Sequence, residues 1–81
     1  MGNLILGRKD DGTLEILRAD DEIELDAEVI EDISREPGDY WLDKDVLRVK
    51  ASGEFLAYVL TTFDRERHVW HAVRTADHPG R

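Results

Sequence analysis

Residues 46–74 read VLRVKASGEFLAYVLTTFDRERHVWHAVR, and the reading of this stretch decides the fold. Its middle part, 54–63, is the most apolar run in the chain. It carries Phe55, Tyr58, Val59, Thr61 and Thr62, types that suit a pleated sheet. Ser52-Gly53 before it is a two-residue hairpin turn in which glycine accepts a positive φ. Asp64-Arg65-Glu66-Arg67 after it is a connection of hairpin length. Three antiparallel strands follow from that punctuation.

Tight turns would fix the register. Across Ser52-Gly53, Val49 faces Leu56 and Leu47 faces Tyr58. Across the second turn, Thr62 faces Val69 and Tyr58 faces Val73. Side chains alternate between the two sides of a sheet. One side then collects Leu47, Val49, Leu56, Tyr58, Leu60, Val69 and Val73 as a core. The other collects Phe55, Ala57, Val59, Phe63, Trp70 and Ala72, with Arg48, Lys50, His68 and Arg74 at its margins.

Upstream, residues 3–9 and 13–18 read as two strands around Asp11-Gly12, a strong hairpin signal that sets Arg8 opposite Glu15. Residues 19–36 carry two patterns. Ile23, Leu25, Ala27 and Val29 alternate with acidic residues, as in a strand. Asp26 is a good helix N-cap, Val29, Ile30 and Ile33 share a helical face, Glu31 and Arg35 sit four apart, and Pro37-Gly38 is a stop. The spacing predicts a short extended piece at 22–25 and a helix over 27–35. Residues 38–45, with Tyr40 and Trp41, read as a loop.

The fold expected is α+β: a small antiparallel sheet with one short helix, order ββαβββ, the helix packing through Val29, Ile30 and Ile33. The alternative is an all-β small barrel in which 22–30 form a strand. Residues 1–74 make a single small domain, and 75–81 a flexible C-terminal tail. At 81 residues the chain is too short for a large internal active-site cavity.

The net charge is −8. Residues 10–45 hold fifteen acidic against three basic residues, a net −12, and the flanks are mildly basic. Such an imbalance speaks about partners and solubility. Crowding of carboxylates over 20–32 predicts folded pKa values raised by like-charge proximity, and stability that falls as pH rises through their range.

Chemistry-bearing patterns are few. With no cysteine, disulfides and thiolate metal sites do not arise. His68 and His71, three apart in a strand, point to opposite sides and cannot share an ion with Asp64. The run Asp20-Asp21-Glu22 lacks the ligand ladder and glycine of a calcium loop. No phosphate-binding glycine loop occurs, and neither Ser34 nor Ser52 has a nucleophile signature. No apolar run approaches a membrane span, and no leader pattern precedes the first strand. Residues 29–49 resemble the biotinyl/lipoyl carrier half-motif: an apolar strand, then Gly38-Asp39, then Asp45-Val46-Leu47. The lysine modified in those carriers has no counterpart, and Pro37 stands as an insertion, so no function is carried over.

The expectation is therefore a non-enzymatic, cytoplasmic, acidic interaction module without metal or cofactor, of a regulatory, inhibitory or phage-accessory kind. Its acidic face, Glu24, Glu28, Glu31 and Asp32, docks on a basic protein surface. Tyr40, Trp41, Phe55, Phe63 and Trp70 are candidate interface aromatics. A subunit of a homo-oligomer, beginning with a homodimer, is the alternative. A small enzyme comes third, and a single-stranded nucleic-acid binder using the aromatic and basic side of the sheet comes last.

Overall fold

A computed structural model of the protein describes residues 2–75. Within them the order is β1 (Leu4–Arg8), β2 (Leu14–Ala19), β3 (Glu22–Asp26), α1 (Ala27–Arg35), β4 (Tyr40–Asp43), β5 (Val46–Ala51), β6 (Glu54–Asp64) and β7 (Val69–Thr75). Strands β1 and β2 form a hairpin of their own, and the other five form one antiparallel sheet in the order β3-β7-β6-β5-β4. The fold is mostly antiparallel sheet with one short helix, and the sheet does not close into a barrel. Two strands lengthen the expected order ββαβββ. Residues 22–26 pair along β7, and Tyr40–Asp43, expected as a loop, pairs along β5. Of the tail expected at 75–81, Thr75 ends β7, and 76–81 lie outside the described residues.

The hairpin at Ser52-Gly53 has the expected register, with Val49 opposite Leu56 and Leu47 opposite Tyr58. Ser52 and Gly53 both have positive φ, 52° and 78°, the pair of left-handed residues that matches the twist of two strands. The first hairpin differs by one residue. Its loop is Asp10-Asp11-Gly12, closed by hydrogen bonds from Lys9 N–H to the Thr13 carbonyl and from Gly12 N–H to the Lys9 carbonyl. Arg8 consequently faces Leu14, and Gly7 faces Glu15.

A larger correction concerns β6 and β7. A bulge between Leu60 and Thr62 leaves Thr61 unpaired, so the register changes within the ladder. Leu60 faces Ala72, Val59 faces Val73 and Phe63 faces Trp70. Ala72, not Val73, is therefore in the core, and Val73 is 39% exposed.

The core lies on one side of the sheet. Ile23, Leu47, Val49, Leu56, Tyr58 and Ala72 are buried there, with Ile33 of the helix against them. Helix α1 follows β3 at one edge of the sheet and leads to β4 at the other. It packs through Ile30 and Ile33, whereas Val29, expected in the packing face, is 43% exposed. The first hairpin lies beside it on the same core, through Leu4, Leu6, Ile16 and Ala19. Hairpin and helix thus share one side of the sheet, and neither covers the other.

Tyr58 is fully buried, and its hydroxyl donates to the Asp20 carbonyl at 2.8 Å. Burial holds the phenol above its ordinary pKa, so it stays a donor. Tyr58→Phe keeps the ring and orphans the carbonyl. The expected cost is about 1 kcal/mol, read as a lower urea midpoint at unchanged slope. An unchanged midpoint would show that the hydrogen bond does not anchor the hairpin.

Candidate functional site

The acidic face divides into two parts on opposite sides of the sheet. Three of its carboxylates belong to α1. Ile30 and Ile33 turn inward, and spacings of three and four put Glu28, Glu31, Asp32 and Arg35 on the outward side. Asp26 occupies the N-cap position with extended backbone, but its side chain makes no cap hydrogen bond. The first helical amide, Ala27 N–H, instead donates to the His68 carbonyl in the β6–β7 turn at 2.9 Å. Arg35 pairs with Asp32. Glu28 and Glu31 have no ion-pair partner among the described residues.

Glu24 is elsewhere. It faces His71 across the ladder, one position out of phase with the core residues Ile23 and Ala72, and so projects from the opposite side of the sheet. Arg67, from the β6–β7 turn, clamps it with both terminal nitrogens, at 2.9 and 2.6 Å. The Nδ1 of His71 lies 3.6 Å from the same carboxylate. Two nitrogens on two oxygens give a planar, oriented pair, which is the geometry that makes an exposed ion pair count. Glu24 is thus a structural partner of Arg67, and is separated from the helix carboxylates.

The aromatic residues also part. Tyr40 packs half-buried against the core. Trp41 sits on the far side of the sheet, edge-on to Phe55 with ring centroids 6.4 Å apart. Phe55 is 46% exposed. Beyond the bulge, Phe63 and Trp70 share the side of Leu25, which is the core side, 5.1 Å apart, and His68 meets Phe63 edge-on. The expected platform of Phe55, Phe63 and Trp70 beside Arg48, Lys50 and Arg74 is therefore not assembled. The bulge puts its aromatics on two sides, and Arg74, opposite Tyr58, leaves the Phe55 side as well.

Sequence reading missed a cleft between the first hairpin and the helix. It is an open groove of about 410 Å³, lined by Leu4, Leu6, Leu25, Val29, Ile33 and Tyr40, with Asp32 at its rim. Its walls come from elements far apart in the chain, and only the apolar alternation of Leu4 and Leu6 hinted at it. Among the described residues no group of three or more histidine or acidic residues is placed to hold a metal ion. No described helix is long and apolar enough to cross a membrane, which says nothing of β-barrels. The segment compared with carrier proteins begins in a helix here, and its resemblance does not extend to the structure. Comparison of the chain with known protein families, characterised proteins and solved structures finds no match.

At two of the carboxylates of 20–32, Asp20 and Glu24, the electrostatics run opposite to the expected direction. Glu24 is held below the ordinary carboxyl value by the Arg67 hydrogen bonds, and Asp20 by Arg18, with the Asn3 amide adding to it. Asp11 is lowered by the Thr13 hydroxyl, with the Thr13 amide adding to it. A depressed folded pKa contributes stability above the unfolded value, and that contribution is lost as pH falls through the folded one. The melting temperature should therefore fall as pH drops below about 4.5, the ordinary value for Glu24. Glu24→Gln should melt lower than wild type at neutral pH and converge with it in acid. A gap that widens in acid would contradict the role given to Arg67.

Proposed function

We propose that the protein is a non-enzymatic interaction module of a regulatory or inhibitory kind, working in the cytoplasm, whose helix face docks on a basic partner. One observation carries this reading. The outward side of α1 presents Glu28 and Glu31 with no ion-pair partner among the described residues, within a segment of net −12. Other carboxylates of that segment are engaged at home, Asp20 with Arg18 and Glu24 with Arg67. A field of this kind acts mainly on encounter rate and partner choice, and it weakens with salt. Glu24 does not belong to the docking set, because reversing its charge would set lysine against Arg67 and His71.

The test is the double variant Glu28→Lys, Glu31→Lys. Both side chains are exposed, and circular dichroism should show an unchanged fold. Affinity for the basic protein recovered by affinity capture is then measured at two ionic strengths. Loss of two charge contacts, with like charges replacing them, should weaken binding about tenfold at low salt. The gap should narrow at high salt. A variant that binds as tightly as wild type would make this face a solvated surface and nothing more.

A second reading has its own observation in the far side of the sheet. Phe55 and Val73 are 46% and 39% exposed there, and Trp41, Val46 and Val59 are half-buried. An apolar patch of this kind suits a two-fold contact between copies. Phe63 and Trp70, once expected in that patch, do not contribute to it. Light scattering at high micromolar concentration should show a dimer that Phe55→Glu returns to monomer. A wild-type monomer at that concentration ends the oligomer reading.

A further inference from the structure

Sheet edges show how a small β protein controls association, since each free edge is a row of unpaired donors and acceptors. Three edges here are partly closed by the chain itself. On β2, the Leu14 carbonyl accepts from the Ser52 hydroxyl at 2.8 Å. On β3, the Glu22 carbonyl accepts from Gly2 N–H at 3.0 Å. On β4, the Tyr40 carbonyl accepts from Gly38 N–H at 2.9 Å. Strand β1 is different. Among the described residues its only neighbouring strand is β2. In an antiparallel pair the bonded positions alternate. Lys9 N–H bonds to the Thr13 carbonyl, and Asp20 N–H to the Asn3 carbonyl. The ladder skips Leu17 on β2 between the Ile5 and Leu6 pairs, but β1 itself is continuous, so counting inward from both ends Leu4, Leu6 and Arg8 turn their main-chain groups away from β2. Those groups have no partner among the described residues.

This open edge borders the groove beside α1. Gly2 touches β3 in a single parallel bridge, after which β1 and β3 diverge and the groove opens between β1 and the helix. Its floor is apolar, and its helix rim carries Asp32, with Glu28 one turn earlier.

We propose that this groove takes an extended segment of a basic partner as an added strand on β1. The inference rests on the reading of the acidic helix as a docking face, and adds where and how the partner binds. A strand presents alternate residues to alternate sides. The segment that fits therefore alternates apolar residues, set down on Leu25 and Ile33, with lysine or arginine directed to the helix carboxylates. Main-chain hydrogen bonds to Leu4 and Leu6 give affinity, and the alternation gives specificity.

The probe is a capped peptide of alternating lysine and valine, titrated into the isotope-labelled protein. The amides of Leu4 and Leu6 should exchange more slowly with the peptide bound. Methylating the peptide nitrogens that face β1 keeps its charge and side chains, and should weaken binding about tenfold or more. Val29→Lys should weaken it similarly. Val29 is 43% exposed, so the fold tolerates the change. Binding that slows neither amide, or that ignores methylation and Val29→Lys, overturns strand addition. If that binding is still lost in the Glu28→Lys, Glu31→Lys variant, the acidic-face reading stands without it. No peptide binding at all removes both. Decanoate filling the groove in place of the peptide would assign the groove to a small apolar ligand, and would also overturn the proposal.

Discussion

The fold depends on one junction, where the first hairpin turns into the sheet. Asp20, Asp21 and Glu22, three consecutive residues, accept hydrogen bonds from several elements at once. The Tyr58 hydroxyl donates to the Asp20 carbonyl from the middle of the core. The Asp20 carboxylate accepts from Asn3 N–H at 2.7 Å. Arg74 N–H donates to the Asp21 carbonyl, and Gly2 N–H to the Glu22 carbonyl. Together they tie β1, β2, β3, β6 and β7 to one corner. The fit is close enough that a Cβ on Gly2 would collide with the Asp20 side chain. A hairpin by itself is marginal in water. Here it is stable because its root is fixed at this corner and its apolar side rests on the same core as the helix.

Local signals made part of this legible. Ser52-Gly53 fixed a register because two left-handed residues in a row admit little else. Pro37-Gly38 and the spacing of Ile30 and Ile33 bounded a helix that matches residues 27–35. The failures are non-local. Thr61 and Thr62 follow each other without a change of polarity, so nothing in the sequence marks which one the ladder skips. That single skip moved Phe63 and Trp70 across the sheet and exchanged Ala72 for Val73. Tyr40–Asp43 is too short, and too tightly flanked by turn residues, to announce a strand. It pairs because the helix delivers it to the edge of β5. Which side of the sheet the hairpin covers depends on the corner at Asp20, and no spacing reports that.

The candidate site was legible in composition and not in geometry. Counting charge located the acidic segment. It could not separate Glu24, which belongs to Arg67, from Glu28 and Glu31 on the helix. The reason is physical. A carboxylate's role depends on the nearest cation, and Arg67 lies forty-three positions away in the chain. The same blindness gave the wrong direction at Asp20 and Glu24. Like-charge repulsion along a sequence is visible, whereas a clamp from a distant turn is not. At contact distance the clamp outweighs repulsion from carboxylates spread over an exposed surface.

The remaining constraint is the use of a small number of covering elements. The described residues hold one helix and one free hairpin, and the junction at Asp20 commits the hairpin to the side of the sheet that the helix also covers. Placed edge to edge they would make a sealed layer. They diverge instead, because among the described residues the chain entering β1 meets β3 only at Gly2, while α1 is held by its own start against the His68 carbonyl. The gap between them is thus a consequence of where each is anchored, and it opens onto the apolar residues that the core has to spare. Among the described residues the far side has no such cover, and its cross-strand contacts include Trp41 with Phe55 and Glu24 with Arg67 and His71. The acidic helix lies beside the groove, and the exposed apolar patch lies on the other side of the sheet. A basic partner and a second copy of the chain would therefore meet different surfaces, and occupation of one does not by geometry exclude the other.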